Sequence, residues 1–352
     1  MSAVIASLEL KDFRNYESFK TTFESPGIVL TGPNGSGKTN LLEAISFLSI
    51  LRSFRNVSAR EMVRIGERSF HISGVLKKGS FPEELRVSET LSGKRDIFIG
   101  PNRIRRSSEF IREFRTVVFV PEDRNIPAGS SLYRRRFFDM FISGIDPAYL
   151  ADLSAYTKAL SQRNKALKAP AREEIISAFE PEMAIRAPRI AAARKVYAEL
   201  VAREVNKLLR KHDQLEFSIR YRNDFPENEE EYLDKLASNR KYEILRGCTR
   251  NGPQLDEFEF YLNGKSVRSY ASTGQIRILS LLLRLAEFNL VRQHCDQQVV
   301  VLADDVTGEL DAFNRDRFFD IVSDAGQQFY TFTDFPSYPK LSQFAELPVG
   351  KS

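Results

Sequence analysis

The sequence predicts an α/β fold in which a mixed sheet surrounds one buried helix and a pair of long helices is inserted as an arm. Three observations point to it. Residues 32–40, GPNGSGKTN, make a glycine-rich turn between the apolar run 28–31 and the helically periodic segment 41–51. A second apolar run, 299–302, leads into Ala303, Asp304 and Asp305, the pattern of a buried parallel strand closed by carboxylates. Between the two, beyond Gly129, the composition changes to long charged segments with helical spacing and few strand formers.

The bulk numbers bound the problem. With 352 residues, 42% hydrophobic and 28% charged, the chain can bury one large core or two smaller ones. A formal net charge of +5 favours a polyanionic partner only weakly at this size. Cys248 and Cys295 are too few and too isolated for a disulfide framework or a thiolate metal site, which suits a reducing cytoplasm. His71, His212 and His294 lie far apart, which disfavours a histidine metal site. The first residues lack a basic stretch followed by a long apolar one, and no run reaches the roughly 18 apolar residues of a membrane span. The expected protein is cytoplasmic, with no membrane partner.

Alternation over 3–10 predicts a strand, and 11–16, KDFRNY, a polar turn into a second strand near 19–23. Arg14 and Asn15 fall in that turn, where pattern alone favours solvation over contact with a ligand. Leu41, Leu42, Ala44, Ile45, Leu48 and Leu51 recur at helical spacing, so their helix is expected to be buried against a sheet. The basic residues of 52–56, RSFRN, are expected to answer the negative end of its dipole. Segments 71–77, 85–91 and 96–99 alternate between turn signals and predict an antiparallel patch. The β-branched run 116–120 leads into Glu122 and Asp123, carboxylates that suit a metal- or water-facing loop or, more simply, a helix cap.

Past Gly129, Asp146 and Pro147 start a helix along which Tyr149, Leu153, Tyr156, Leu160 and Leu167 follow at three- and four-residue steps. Ile190, Tyr197, Val201, Val205 and Leu208 repeat the stripe on a second helix, after interruptions at Pro181 and Pro188. The two stripes predict an antiparallel hairpin of coiled-coil type, an arm rather than a compact domain. Strands return at 215–221 and 258–262, either side of an acidic helical stretch at 227–235. The expected organisation is a head contributed by 1–124 and 214–352, with 125–213 as the arm.

The chemistry concentrates in three motifs. GPNGSGKT fits the G-x-x-x-x-G-K-[ST] pattern of a phosphate-binding loop. Gly32, Gly35 and Gly37 leave room for backbone amides around phosphate oxygens, Lys38 reaches the β/γ oxygens, and Thr39 offers a hydroxyl to Mg²⁺. Pro33, Asn34, Ser36 and Asn40 complete the loop. Farther on, STGQ opens a strongly apolar helix; alone it is a capping turn, but Ser272, Gly274 and Gln275 could also meet phosphate at that helix's N-terminus. In the third motif, the strand ending at Asp304 is expected beside the loop strand, so that Asp304 holds the Mg²⁺ bound by Thr39. Asp305 would then face the water attacking the γ-phosphate, and Asp311 closes the motif.

Together GPNGSGKTN, STGQ, VVVLADDVTGELD and LKDFRNY resemble the heads of ABC-type ATPases, and among them the RecF family of bacterial recombination mediators. The resemblance covers nearly the whole chain, through GKTNLLEAISFLSILRSFRN, VVFVPEDRNIPAGSSLYRRRFFD and LLRLAEF. It implies an ABC-type head with an inserted helical arm, binding ATP and Mg²⁺. It also implies an ATP-dependent homodimer on double- and single-stranded DNA or their junctions, which helps to load the recombinase with the mediators RecO and RecR. Carried over position by position, Gly35, Gly37, Lys38, Thr39 and Asn40 bind nucleotide. Ser272, Gly274 and Gln275 contact it from the other subunit, Asp304 holds Mg²⁺, and Arg14 and Asn15 move from solvent to the nucleotide. Glu122 stands where ABC heads place the Q-loop, a further metal candidate.

This chain departs from the family pattern in three places. GPQLDE, 252–257, replaces the family's GPHRDD. Asp305, as in RecF-like proteins, stands where ABC heads generally carry Glu, one methylene farther from the attacking water. The switch histidine is missing from FYTFTD, leaving Thr331 or Thr333. Slow hydrolysis of ATP to ADP and phosphate is expected, a timed clamp rather than a motor. Arg103, Arg105, Arg106 and Arg134 to Arg136 are candidate contacts to DNA phosphates. The alternatives are a kinase-like P-loop enzyme for small molecules, or an SMC-like ATPase with another DNA role.

Overall fold

The computed structural model describes residues 3–55, 57–78, 81–111, 113–168, 173–209, 215–295, 298–305, 308 and 310–350. Contacts divide the chain into two units, 1–123 with 283–352, and 124–282. In chain order the first unit opens with β1 (Ala3–Phe13), β2 (Tyr16–Thr22), β3 (Gly27–Thr31), α1 (Lys38–Ile50) and α2 (Ala59–Met62). It continues with β4 (Ser69–Lys78), β5 (Phe81–Thr90), β6 (Arg95–Ile99), β7 (Asn102–Arg103), α3 (Ser107–Phe110) and β8 (Arg115–Phe119). The second unit holds α4 (Asn125–Ala128), α5 (Ser131–Ile145), α6 (Pro147–Lys168), α7 (Glu173–Ser177), α8 (Glu180–Leu209) and β9 (Phe217–Arg222). There follow α9 (Glu229–Arg246), β10 (Glu257–Leu262), β11 (Lys265–Ser266), α10 (Val267–Tyr270) and α11 (Thr273–His294), the last running across the division. β12 (Val299–Asp304), α12 (Ala312–Val322), β13 (Gln327–Phe332) and β14 (Ala345–Pro348) complete the first unit.

Two sheets build the first unit. One is five-stranded and wholly parallel, in the order β14-β3-β13-β12-β8. Its inner strands read GIVLT and VVVLA, continuously buried, as parallel strands covered on both faces must be. The other is the predicted antiparallel patch, joined by the first strand, in the order β2-β1-β4-β5-β6-β7. Helix α1 packs on β8, β12 and β13 of one sheet and on β4 and β5 of the other. Covered from both sides, it buries every residue from Leu41 to Ser49, including Glu43, Ser46 and Ser49. Where β1 slips register on β4 between Ile5 and Ser7, the Gln327 side chain takes over the ladder. It accepts from Ile5 N at 2.9 Å and donates to Ile5 O at 3.0 Å, so both backbone groups of Ile5 are satisfied.

The structure corrects the strand order. β12 does not lie beside β3: β13 pairs with both and stands between them. The run QQFYTF carries its own buried apolar face and makes full parallel ladders on either side. The basic residues after α1 also behave differently from the expectation. The last turn of α1 holds no basic residue, and Leu51 closes it in the left-handed conformation. Arg55 instead donates to Asn40 Oδ1, near the start of the helix.

In the second unit α6 and α8 pack together antiparallel, as Asp152–Arg186 and Arg163–Glu180 pairs record. α8 runs through Pro188 without stopping. The pair is not a bare arm, however. α5, α7 and α9 pack around it, and β9, β10 and β11 form a separate antiparallel sheet against α8 and α5, so 124–282 is one compact unit. The physical reason is in the helices' own charges. Arg163 and Arg194 are fully buried and need carboxylates from other elements, which draws Glu243 of α9 and Asp256 of the 252–257 turn onto them. Residues 214–282, expected in the head, therefore cluster with the helices; the expected 213/214 boundary itself lies outside the described residues.

Candidate nucleotide site

In the first unit an open pocket of about 710 Å³ is lined by Asn34, Gly35 and Gly37 through Asn40 of the loop, by Arg14, Asn15 and Arg55, and by Glu122, Asp304, Asp305 and Thr331. α1 begins here at Lys38, with Gly37 as its N-cap and no side chain capping it. Uncapped N–H groups and the positive dipole end therefore open onto the pocket. Gly37 sits at φ 111°, and a Cβ there would fall 2.6 Å from the Tyr16 hydroxyl. That hydroxyl donates to Gly37 O at 3.1 Å, and burial pushes the phenol's pKa up to about 12. Lys38 Nζ donates to the carbonyls of Gly32 (2.6 Å) and Pro33 (3.0 Å), which hold the ammonium along the loop.

β12 delivers Asp304 to the opposite side of the loop, and although β13 intervenes, α1 crosses the sheet and closes the distance. Thr39 Oγ1 donates to Asp304 Oδ2 at 2.8 Å and lies 3.0 Å from Oδ1. Thr331 on β13 donates to Asp304 Oδ1 at 2.8 Å while accepting from Asp305 N at 3.0 Å. Asp305 follows at φ 52°, off the strand path, and lines the pocket. Burial raises the pKa of Asp304, the nearby Asp305 and Glu122 carboxylates add to the rise, and the Thr331 and Thr39 hydroxyls oppose it. A carboxylate held among other carboxylates in this way is electrostatically short of a cation. Among the described residues no cluster of three His, Cys, Asp or Glu side chains is shaped for a metal. Mg²⁺ shared with phosphates needs only one or two carboxylates, so the donor set of Thr39 and Asp304 fits it.

Arg14 lines the pocket with its guanidinium already paired. It donates through Nε and Nη2 to both oxygens of Glu43 (2.8 and 2.7 Å) and through Nη1 to Glu61 O (2.7 Å). Glu43 is fully buried on α1 and also accepts from Ser53. The fork pair therefore ties the β1–β2 turn to the loop helix. Asn15 extends the tie, accepting from Asn40 Nδ2 at 2.7 Å. Replacing Arg14 with alanine should lower stability by about 2 kcal/mol, less than a fully buried pair because Arg55 also lies 4.0 Å from Glu43. Urea unfolding of the variant, set beside Asn15→Ala, measures this.

The STGQ turn belongs to the second unit. Ser272 Oγ accepts from Gln275 N at 3.2 Å and Gln275 Oε1 accepts from Ser272 N at 2.9 Å, a reciprocal capping box at the start of α11. Ser272, Thr273 and Gly274 are solvent-exposed, and neighbouring Tyr270 is 72% exposed.

The comparisons with known proteins agree with this geometry. A family model described as the RecF/RecN/SMC N terminal domain matches residues 4–334. The DNA replication and repair protein RecF of Bacillus cytotoxicus is 33% identical over 342 residues, covering 94% of this chain and 91% of that protein. The chain belongs to the RecF family. A second RecF, from Lactobacillus gasseri, is 33% identical over 347 residues, covering 94% and 92% of the two chains. Of the solved structures, the recombination mediator protein RecF with ATP in the RecFOR pathway gives a TM-score of 0.87 at 28% identity, over 99% of this chain and 96% of that one. An Smc head from Pyrococcus furiosus shares the fold at a TM-score of 0.50 and 16% identity. This RecF-family chain thus has the fold of an ABC-type ATPase head.

Of the residues the sequence singled out, the RecF-family fold brings Arg14, Asn15, Asn34, Gly35, Gly37, Lys38, Thr39, Asn40, Glu122, Asp304 and Asp305 to one pocket. Gly32 and Pro33 line a different hollow, and Ser36 Oγ is buried with no hydrogen-bond partner among the described residues. Asp311 caps α12, accepting from Asn314 N, so its carboxylate is structural. Asp123 turns inward to Arg284 and Val120 N, leaving Glu122 as the carboxylate that faces the pocket. Among the arginines proposed for DNA, Arg134 is buried on Glu257, whereas half-buried Arg135 donates to the backbone carbonyl of Asp256 and exposed Arg103 pairs with Asp96. Sequence reasoning passed over Glu43, Arg55, Val63 and Ile65. The legible signal was Glu43 itself, a carboxylate in an otherwise apolar helix, which requires a partner.

Proposed function

We propose that this chain is an ATP-switched DNA-binding protein of cytoplasmic recombinational repair and replication. It pairs with a second copy around bound nucleotide and helps to load the recombinase together with RecO and RecR. The observation that carries the reading is the Thr39–Asp304 pair set against Lys38 at an uncapped helix N-terminus, in a member of the RecF family. Similarity to RecF structures with ATP and an ATP analogue supports the ligand. Thr39 and Asp304 would hold Mg²⁺, whose chemistry there is to neutralise phosphate charge. Lys38 binds the β/γ oxygens, and Asp305, with its backbone tied to Thr331, faces the side from which water attacks. Its short side chain keeps hydrolysis slow, so ATP acts as a timer. The exposed STGQ turn presents the N-terminus of α11 to the nucleotide of a second copy.

The test is the mass in solution with and without ATP for the native chain, Lys38→Ala and Ser272→Arg. ATP should dimerise only the native chain. A Ser272→Arg protein that dimerises normally would sink the shared site. DNA affinity should fall with salt, log affinity dropping against log salt by about 0.9 per phosphate neutralised. No helix of the described residues is long and apolar enough to cross a membrane.

A further inference from the structure

The loop strand β3 has β13 on one side and the four-residue β14 on the other. β14 runs parallel to it in the register Glu346 to Val29 and Pro348 to Thr31. Two further contacts carry this pairing from the strand into the loop. Thr31 Oγ1 donates to Glu346 Oε1 at 2.6 Å, and Val349 N donates to Thr31 O at 2.7 Å. The buried Val349 then turns its carbonyl onto the first residue of the loop. A Cβ on Gly32 would fall 2.3 Å from Val349 O, and Gly32 stands at φ 145°, so no other residue fits there. On its other side Gly32 N donates to Thr333 O at 3.0 Å, which fixes Gly32 between β13 and the end of β14. Gly32 and Pro33 are the residues whose carbonyls hold the Lys38 ammonium.

We propose that β14 is a nucleotide-affinity element, with Glu346 and Val349 as positioning residues that set Gly32 and Pro33, and through them Lys38, for polyphosphate. The proposal rests on the ATP reading above. It assigns a role to a segment that touches no part of the nucleotide pocket and carries none of the phosphate-binding motifs. A carboxylate at 346 is also an electrostatic disadvantage close to a phosphate site. The contribution of Glu346 is therefore its acceptor oxygen rather than its charge.

The experiment measures dissociation constants of a fluorescent ATP analogue, with Mg²⁺, for the native chain, Glu346→Ala, Glu346→Gln, Thr31→Val, the Thr31→Val/Glu346→Ala double variant and Val349→Pro. Thermal midpoints without nucleotide are measured in parallel. Glu346→Ala and Thr31→Val should each weaken binding about tenfold, the scale of one mispositioned charge-assisted hydrogen bond, and the double variant no further, because both remove the same bond. Glu346→Gln keeps an acceptor for Thr31, so it should bind more tightly than Glu346→Ala. Val349→Pro, which lacks the donating N–H, should weaken binding by a similar factor. Additive effects of the two single changes, a Glu346→Gln protein as weak as Glu346→Ala, or losses that merely follow the thermal midpoints would overturn the proposal. If the native chain itself fails to bind the analogue, it is the ATP reading that falls.

Discussion

Arg194→Met should destabilise the second unit by about 3–5 kcal/mol, the penalty for removing one partner from a buried ion pair. The Arg194 side chain is 2% exposed, and each of its three nitrogens donates to a buried or half-buried acceptor. Nη1 donates to Pro253 O and to Asp256 Oδ2, both at 2.6 Å. Nη2 reaches Asp139 Oδ1 at 2.8 Å, and Nε reaches the Tyr149 hydroxyl at 3.0 Å. Without the guanidinium, the Asp256 carboxylate keeps, among the described residues, the Tyr221 hydroxyl as its one hydrogen-bond donor in a buried site. Arg203→Met, which loses only an exposed pair with Glu199, should change stability by less than about 0.5 kcal/mol. Urea denaturation of the two variants makes the comparison, and equal midpoints would show that the network contributes nothing.

The pH dependence of that loss follows from Asp256. Burial pushes its pKa up to about 6, against the opposing pull of Arg194 and Tyr221. A carboxyl group whose folded pKa exceeds its unfolded one stabilises the fold below the unfolded value, and that contribution is lost as pH rises through the folded value. Taking Arg194 away raises the folded value further and widens the window. The Arg194→Met penalty should therefore shrink as pH falls from 7 to 5, and adding Asp256→Asn should recover part of it at pH 7. A penalty that grows on acidification would contradict the assignment.

The same residues show where the sequence was legible and where it was not. GPNGSGKT announced itself because its chemistry is local: the glycines, the lysine and the threonine sit within one turn and one helix start, and the structure keeps them together. The apolar run closed by Asp304 was equally local. Strand order was not, since β3, β12 and β13 are all short apolar runs and nothing within any one of them says which pairs with which. Charge partnerships fail for a related reason. Arg14 meets Glu43, Arg134 meets Glu257 and Arg194 meets Asp256, each through space between elements distant in the chain. An arginine cluster read by spacing looks like a solvated or DNA-facing surface until its acids are found. The turn 252–257 illustrates the cost: read as a departure from a motif, it is the hub on which α5, α8 and β9 converge.

Asp304→Asn should give a folded protein that Mg·ATP no longer stabilises. For the native chain, a hundredfold excess of ligand over its dissociation constant is worth about 2.7 kcal/mol of added stability, visible as a rise in thermal midpoint. Asparagine keeps the shape and an acceptor for Thr39 but removes the charge that Mg²⁺ needs, so that rise should vanish. The ligand-free protein should move in the other direction. Burial, with Asp305 and Glu122 nearby, raises the folded pKa of Asp304, so its ionised form weakens the fold once pH exceeds that raised value. A neutral side chain lifts this penalty, and the variant's midpoint without nucleotide should equal or exceed the native one. Acidification acts on the native chain as the substitution does, by protonating Asp304 at a higher pH than a solvated carboxylate, near 3.9, would require. The gap between the ligand-free midpoints of the variant and the native chain should therefore narrow as the pH falls. Thermal midpoints with Mg·ATP, with ATP and chelator, and without ligand, recorded across pH 8 to 5 for both proteins, separate these effects. A variant that keeps the full Mg·ATP shift would remove Asp304 from the metal site and leave Glu122 and Asp305 as the pocket carboxylates to examine.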